Sequence, residues 1–143
     1  MLKKIVDYWR EIGRSGPNLA SRDLSGLDLG GANFARADLR RAVLKGTNLA
    51  GCNLDGANLR DADLSGAYLS NARLRRADLR GARLTFTVLD DADMREADLR
   101  DADLGGATLS GATFTGARLY AADLREATFD ESQTRSVKVL PTG

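Results

Sequence analysis

No histidine occurs in this chain. That removes the commonest general base and metal ligand, and with it Ser-His-Asp, Cys-His and His-zinc chemistry. Cysteine occurs once, at Cys52, so no disulfide framework can form within the chain, and the compartment is left open by that criterion. Aromatic residues make up 6%, too few for base-stacking platforms of the usual kind. Neither sign of charge prevails. The 21 basic residues stand against 20 acidic ones, net +1, which argues neither for nor against nucleic acid. Long apolar runs are missing too. The chain therefore reads as having no signal peptide and no transmembrane span, and a cytoplasmic location is expected.

What is present is a period. From Leu19 to Phe129 a large apolar residue returns every five positions, through Leu24, Leu29, Phe34 and Leu39 to Phe114, Leu119 and Leu124. All 23 positions of this series are Leu, Phe or Met. Two residues before each stands a small one, nearly always Ala, as at Ala32, Ala57, Ala77 and Ala97. A five-residue step walks around an α-helix instead of along one face. It also falls on alternate faces of a flat strand, because five is odd. The period works when the chain turns a corner once per pentad, winding a solenoid whose coils hydrogen-bond at about 4.8 Å.

Units such as Ala37-Asp38-Leu39-Arg40-Arg41, Ala57-Asn58-Leu59-Arg60-Asp61 and Ala62-Asp63-Leu64-Ser65-Gly66 resemble the A(D/N)LXX motif of the pentapeptide-repeat family. The match spans about three-quarters of the chain. The resemblance implies an all-β solenoid: a right-handed quadrilateral parallel β-helix with four pentapeptides per coil. A weaker period of twenty agrees with four units per coil, since Ala37-Asp38-Leu39-Arg40 returns near 57, 77 and 97. Residues twenty apart are expected to pair in parallel ladders, giving about six coils and a rod roughly 28 Å tall.

The expected organisation is a capping helix over 1–16, the β-helix over 17–131, and degenerate repeats with a tail over 132–143. In the first segment Leu2, Ile5, Val6, Trp9 and Ile12 share one helical face, and Gly13 and Gly16-Pro17 end it. A lid over the open core is the first reading. An interfacial membrane helix and a partner-binding helix stay open as alternatives. At the other end, Ser132 to Ser136 and Val137 to Pro141 still fit the five-residue frame, which leaves no room for a large C-terminal dimerisation module. Cys52 stands at a small-residue place and reads as a buried side chain, not a nucleophile. Gly fills the last place of ten pentads, including Gly26, Gly31 and Gly46, as turns of positive φ favour. Arg41, Asp61, Asn71, Arg76, Glu96 and Asp101 fill it elsewhere, which predicts a second, glycine-independent turn type.

Outward positions sort into four faces. The first carries a candidate basic column, Arg40, Arg60, Arg80 and Arg100, beside Asp38, Asn58, Asp78 and Asp98. It reads either as a self-neutralising ladder or as a docking surface for an anion or a partner. The second face carries Asp23, Asp63, Asp103 and Asp123 with Lys45, Arg83 and Arg125. The fourth carries Arg73, Arg75 and Arg76 with Arg36 and Arg95, and the third is nearly uncharged. A candidate interaction patch, Tyr68, Phe86 and Val88, lies at the edge between the second and third faces. It reads either as ordinary scattered apolar exposure, with Phe86 folded over glycine corners, or as a contact site.

No constellation reads as catalytic, cofactor-binding or metal-binding: carboxylates on a convex surface lack a pocket to desolvate them. The resulting expectation is a non-enzymatic interaction or scaffold module, a monomer or weak dimer with an unidentified protein partner and no small-molecule substrate. Nucleic acid and membrane are disfavoured as partners. The resemblance also implies an alternative, a DNA-mimicking gyrase-binding protein conferring quinolone or toxin resistance. Such relatives have strongly acidic surfaces and dimer-forming C-termini, from which this chain departs. The resemblance points to a bacterial source, with cyanobacteria, where the family is abundant, the first to consider.

Overall fold

The five-residue frame becomes a coil through one hydrogen bond repeated at every corner. The computed structural model describes residues 16–133. In each pentad the carbonyl of the inward Leu accepts the N–H three residues on, as Ala42 does to Leu39 at 3.0 Å and Ala62 to Leu59 at 3.0 Å. That closes a β-turn whose third residue has positive φ, the signature of type II. Four such turns pass before the chain lies above itself. Parallel bridges then join residues twenty apart, such as Asp38 to Asn58, Asn58 to Asp78 and Asp78 to Asp98. Within a ladder the bonds run both ways: Leu39 N–H donates to Asn58 O at 2.8 Å, and Asn58 N–H to Ala37 O at 2.9 Å. The protein is a β-helical solenoid with the twenty-residue register the sequence predicts.

The corners depart from expectation. The sequence predicts a second turn type at Arg41, Asp61, Asn71, Arg76, Glu96 and Asp101. All six instead have φ between 58° and 61°, the same left-handed region as the glycines. One turn type serves the whole described rod. Left-handed backbone costs a non-glycine residue about 1–2 kcal/mol. It persists because ladder bonds on both sides, such as Arg41 N–H to Arg60 O at 2.9 Å, fix the corner from outside the residue.

The leucine columns and the small residues beside them fill the interior, and from Leu24 to Leu109 every residue of the series is at most 1% exposed. Cys52 is fully buried, with its thiol donating to Leu29 O at 3.0 Å. Thr47 and Thr87, at equivalent places, donate to Leu24 O and Leu64 O at 2.8 Å. Those hydroxyls are thereby satisfied in an apolar core. Lower down the core thins: Phe114, Leu124 and Phe129 are only partly buried, with the Phe114 and Phe129 rings 6.5 Å apart.

At the lower end the described residues stop two places into the segment where degenerate repeats are expected. Residues 131–133 form a helical turn. Asp130 caps it: its carboxylate accepts Gln133 N–H at 3.1 Å, and Gln133 Oε1 accepts Asp130 N–H at 2.7 Å. This reciprocal pair is a capping box. The expected capping helix over 1–16 lies, but for Gly16, outside the described residues, as does the tail beyond Gln133.

Candidate functional site

On a strand, residues two apart point to the same side. An Asp just before the inward Leu and an Arg just after it therefore meet on the outer surface. The first face shows the result three times. Arg40 Nε and Nη2 reach the two Asp38 oxygens at 2.8 and 2.6 Å. Arg80 grips Asp78 at 2.9 and 2.7 Å, and Arg100 grips Asp98 at 2.9 and 2.6 Å. Each Asp Oδ1 also accepts the backbone N–H of its arginine at 3.2 Å. The forks couple between coils, since Arg80 Nε lies 3.7 Å from Asp98. The column is thus largely a self-neutralised ladder, with Arg60 its one member lacking an ion pair among the described residues.

The same fork recurs on other faces. Arg95 holds the Asp93 carboxyl down at about 2 through its side-chain hydrogen bonds, and Arg125 does the same for Asp123. Arg80 and Arg100 likewise lower Asp78 and Asp98. On the fourth face Asp55 joins Arg73 at 2.5 Å and Arg75 at 3.0 Å, while Arg76 pairs with Glu96 at 2.6 Å. Arg36 has no ion pair among the described residues. No group of three or more acidic or cysteine side chains there is arranged to hold a metal ion.

The three side chains of the candidate apolar patch differ in exposure. Phe86 is 70% exposed and Tyr68 53% exposed, while Val88 is half-buried. Tyr68 and Val88 are bridged neighbours on successive coils. Phe86 takes a corner at φ 56° and lays its ring across the next corner, where a Cβ on Gly106 would sit 2.6 Å from Cε1. The ring therefore covers a glycine corner and still presents its outer face to solvent.

Tyr120 was not among the candidates singled out from sequence. It is 57% exposed and continues the arginine column one coil beyond Arg100, bordering a shallow groove with Arg60, Arg80 and Arg100. The twenty-residue period carried that signal, since Tyr120 follows Arg100 by one full coil.

Comparison with known proteins agrees with the geometry. The family model for pentapeptide repeats matches in eight copies, over residues 23–61, 57–95 and 92–130. The crystal structure of a pentapeptide repeat protein, Rfr23, from the cyanobacterium Cyanothece 51142 is similar at 27% identity and a TM-score of 0.61. It covers 90% of this chain and 96% of its own. A pentapeptide repeat protein from the Arabidopsis thaliana thylakoid lumen, AT2G44920, is 34% identical over 83% of this chain and 76% of its own, with a TM-score of 0.47. QnrB1, a plasmid-mediated fluoroquinolone resistance protein, is 18% identical over 90% of this chain and 99% of its own, with a TM-score of 0.43. No curated protein matches the chain.

Proposed function

The chain belongs to the pentapeptide-repeat family, and from that membership we propose that it is a non-enzymatic, rigid protein–protein interaction or scaffold module. The observation that carries this reading is the pair of aromatic side chains held in water on a bridged β-scaffold, Phe86 and Tyr68. Exposed aromatic side chains beside an apolar neighbour are what an interface anchors on. A β-helix can present them with little loss of backbone freedom on binding. The surface acids support the non-enzymatic part. Arginine forks hold Asp38, Asp78, Asp93, Asp98 and Asp123 below the usual carboxylate range. Such groups stay ionised at neutral pH and are poor general acids there.

In this reading the module has about six coils wound right-handed, with a helical lid over 1–16. It works in the cytoplasm as a monomer or weak dimer, binding a protein partner and no small-molecule substrate. The experiment is the double substitution Phe86→Ala with Tyr68→Ala. Capture of the native partner, or self-association by sedimentation, should weaken at least tenfold while the melting temperature moves by no more than a few degrees. Unchanged binding would transfer the interface to the arginine face.

The second reading, a DNA-mimicking gyrase-binding protein, has one observation in its favour: the lower part of the rod is acidic. Residues 91–133 hold ten Asp and Glu against four Arg, whereas residues 16–90 hold eleven Lys and Arg against eight acids.

A further inference from the structure

The arginine column contains one irregular coil. In three coils an arginine Nη2 donates to an Asp Oδ2 at 2.6 to 2.7 Å. In the third coil that Asp is replaced by Asn58. Its Oδ1 accepts the backbone N–H of Arg60 at 3.2 Å, the same task Oδ1 performs in Asp38, Asp78 and Asp98. With Oδ1 so fixed, the amide NH2 takes the place of the second carboxylate oxygen. A donor then stands where Arg60 would find an acceptor. Among the described residues the Asn58 amide NH2 and the Arg60 guanidinium have no hydrogen-bond partner. Asp78, one coil on, feels Arg60 only through space, and its Oδ2 is already taken by Arg80 at 2.7 Å.

We propose that Asn58 and Arg60 form a site for a single oxyanion, a carboxylate or phosphomonoester, one of whose oxygens stands where the neighbouring coils have Oδ2. The Asn58 amide is oriented before any ligand arrives, because its Oδ1 is held by the Arg60 backbone N–H, so ordering cost on binding falls mainly on the Arg60 side chain. Arg36 adds positive potential: its Cγ lies 3.5 Å from where a Gly56 Cβ would be, against the corner that opens the same coil. Asp61 follows Arg60 directly, and its carboxylate is turned over the Gly81 corner.

The limit to one anionic group follows from the neighbours. Asp38 and Asp78 flank Asn58 at about 4.8 Å, one coil to either side. A polyanion running along the rod would meet a committed carboxylate on each side, whereas a lone oxyanion meets two donors. The oxyanion is either a free small acid or phosphate, or an acidic side chain of a protein partner. In the latter case the inference rests on the interaction reading above, and small anions test it independently of any partner.

The experiment is an NMR titration of the full-length ¹⁵N-labelled protein with sodium acetate, and in parallel with inorganic phosphate, at constant ionic strength. Saturable millimolar shifts are expected at the Asn58 side-chain amide and at Arg60 Nε. None is expected at Asn48, whose amide already donates to Asp28 at 2.9 Å. Asn58→Asp restores the regular fork, so its melting temperature should be equal or higher while the shifts vanish. Tighter acetate than phosphate assigns a carboxylate; the reverse assigns a phosphomonoester. Absence of saturation with both anions, or equal shifts in Asn58→Asp, overturns the site. Binding of a single-stranded oligonucleotide more tightly than either small anion overturns its restriction to one anionic group.

Discussion

Asp93 accepts the Arg95 guanidinium at 2.8 and 2.7 Å, the Arg95 backbone N–H at 3.3 Å and the Thr113 hydroxyl at 3.3 Å. The Arg95 fork is the largest cause of its lowered pKa, about 2 against an ordinary 3.8. A carboxylate depressed on folding contributes stability that is complete above its unfolded value and lost as pH falls through the folded one. Melting temperature should therefore hold from neutrality to about pH 5 and fall between about pH 4 and pH 2. Asp93→Asn should lower stability at neutral pH by about 1 kcal/mol or less, because solvent screens an exposed fork, and should make the acid limb shallower. Differential scanning calorimetry across pH reads both; an unchanged acid limb would mean that Asp93 does not drive it. The Asp-x-Arg spacing was legible in sequence because strand geometry puts residues two apart on one side. The left-handed φ of Arg41, Asp61 and Glu96 was not. Glycine announces positive φ by lacking a Cβ, whereas these side chains do not reveal what the ladder imposes on them.

At the scale of the element, Gln133 closes the end of a ladder. Its Nε2 donates to Leu109 O at 2.5 Å and to Ala112 O at 2.7 Å, and the residue is 5% exposed. The Asp130 carboxylate meanwhile accepts Gly111 N–H at 2.8 Å, standing in for Asp130's own backbone carbonyl, which the register of the other corners would place there. Gln133→Ala leaves two buried carbonyls without that donor and removes half of the capping box. A loss of about 1–3 kcal/mol is expected. Because each coil of a solenoid rests mainly on its neighbours, the loss should be local. Hydrogen exchange should quicken at Leu109, Ala112 and the coil below them, and stay unchanged at Leu39 and Leu59. Uniform acceleration would show a cooperative rod instead. The solenoid was legible because its period repeats 23 times. The helical turn at 131–133 was hidden because Asp130-Glu131-Ser132-Gln133 satisfies two patterns at once. Ser132 falls at a small-residue place of the pentad frame, and Asp and Gln three apart also make a capping box.

At the scale of the molecule, a net charge of +1 hides an axial polarity, basic excess above and acidic excess below. The small extent of the lower excess weighs against the second functional reading. Residues 91–133 make about two coils, so the acidic zone is roughly 10 Å tall. Duplex DNA carries a charge every 1.7 Å or so of its axis, continuously. Within the zone Asp93, Asp98 and Asp123 are each gripped by an arginine at 2.5 to 2.7 Å, which returns positive charge to the surface where a mimic needs none. Above it, Arg40, Arg60 and Arg80, of which Arg60 has no ion pair among the described residues, would face the basic groove that a DNA mimic must enter, and like charges brought together there cost affinity. The expected outcome is no inhibition of gyrase supercoiling at micromolar protein and no rescue of quinolone-poisoned enzyme. The control is a variant with arginines 95, 100 and 125 changed to Gln, which frees the three carboxylates and extends the acidic surface. If mimicry is limited by these forks, the variant gains weak inhibition that the natural sequence lacks. Inhibition by the unmodified protein in the same assay would put gyrase binding ahead of the general interaction reading and move the search for its interface to the lower coils.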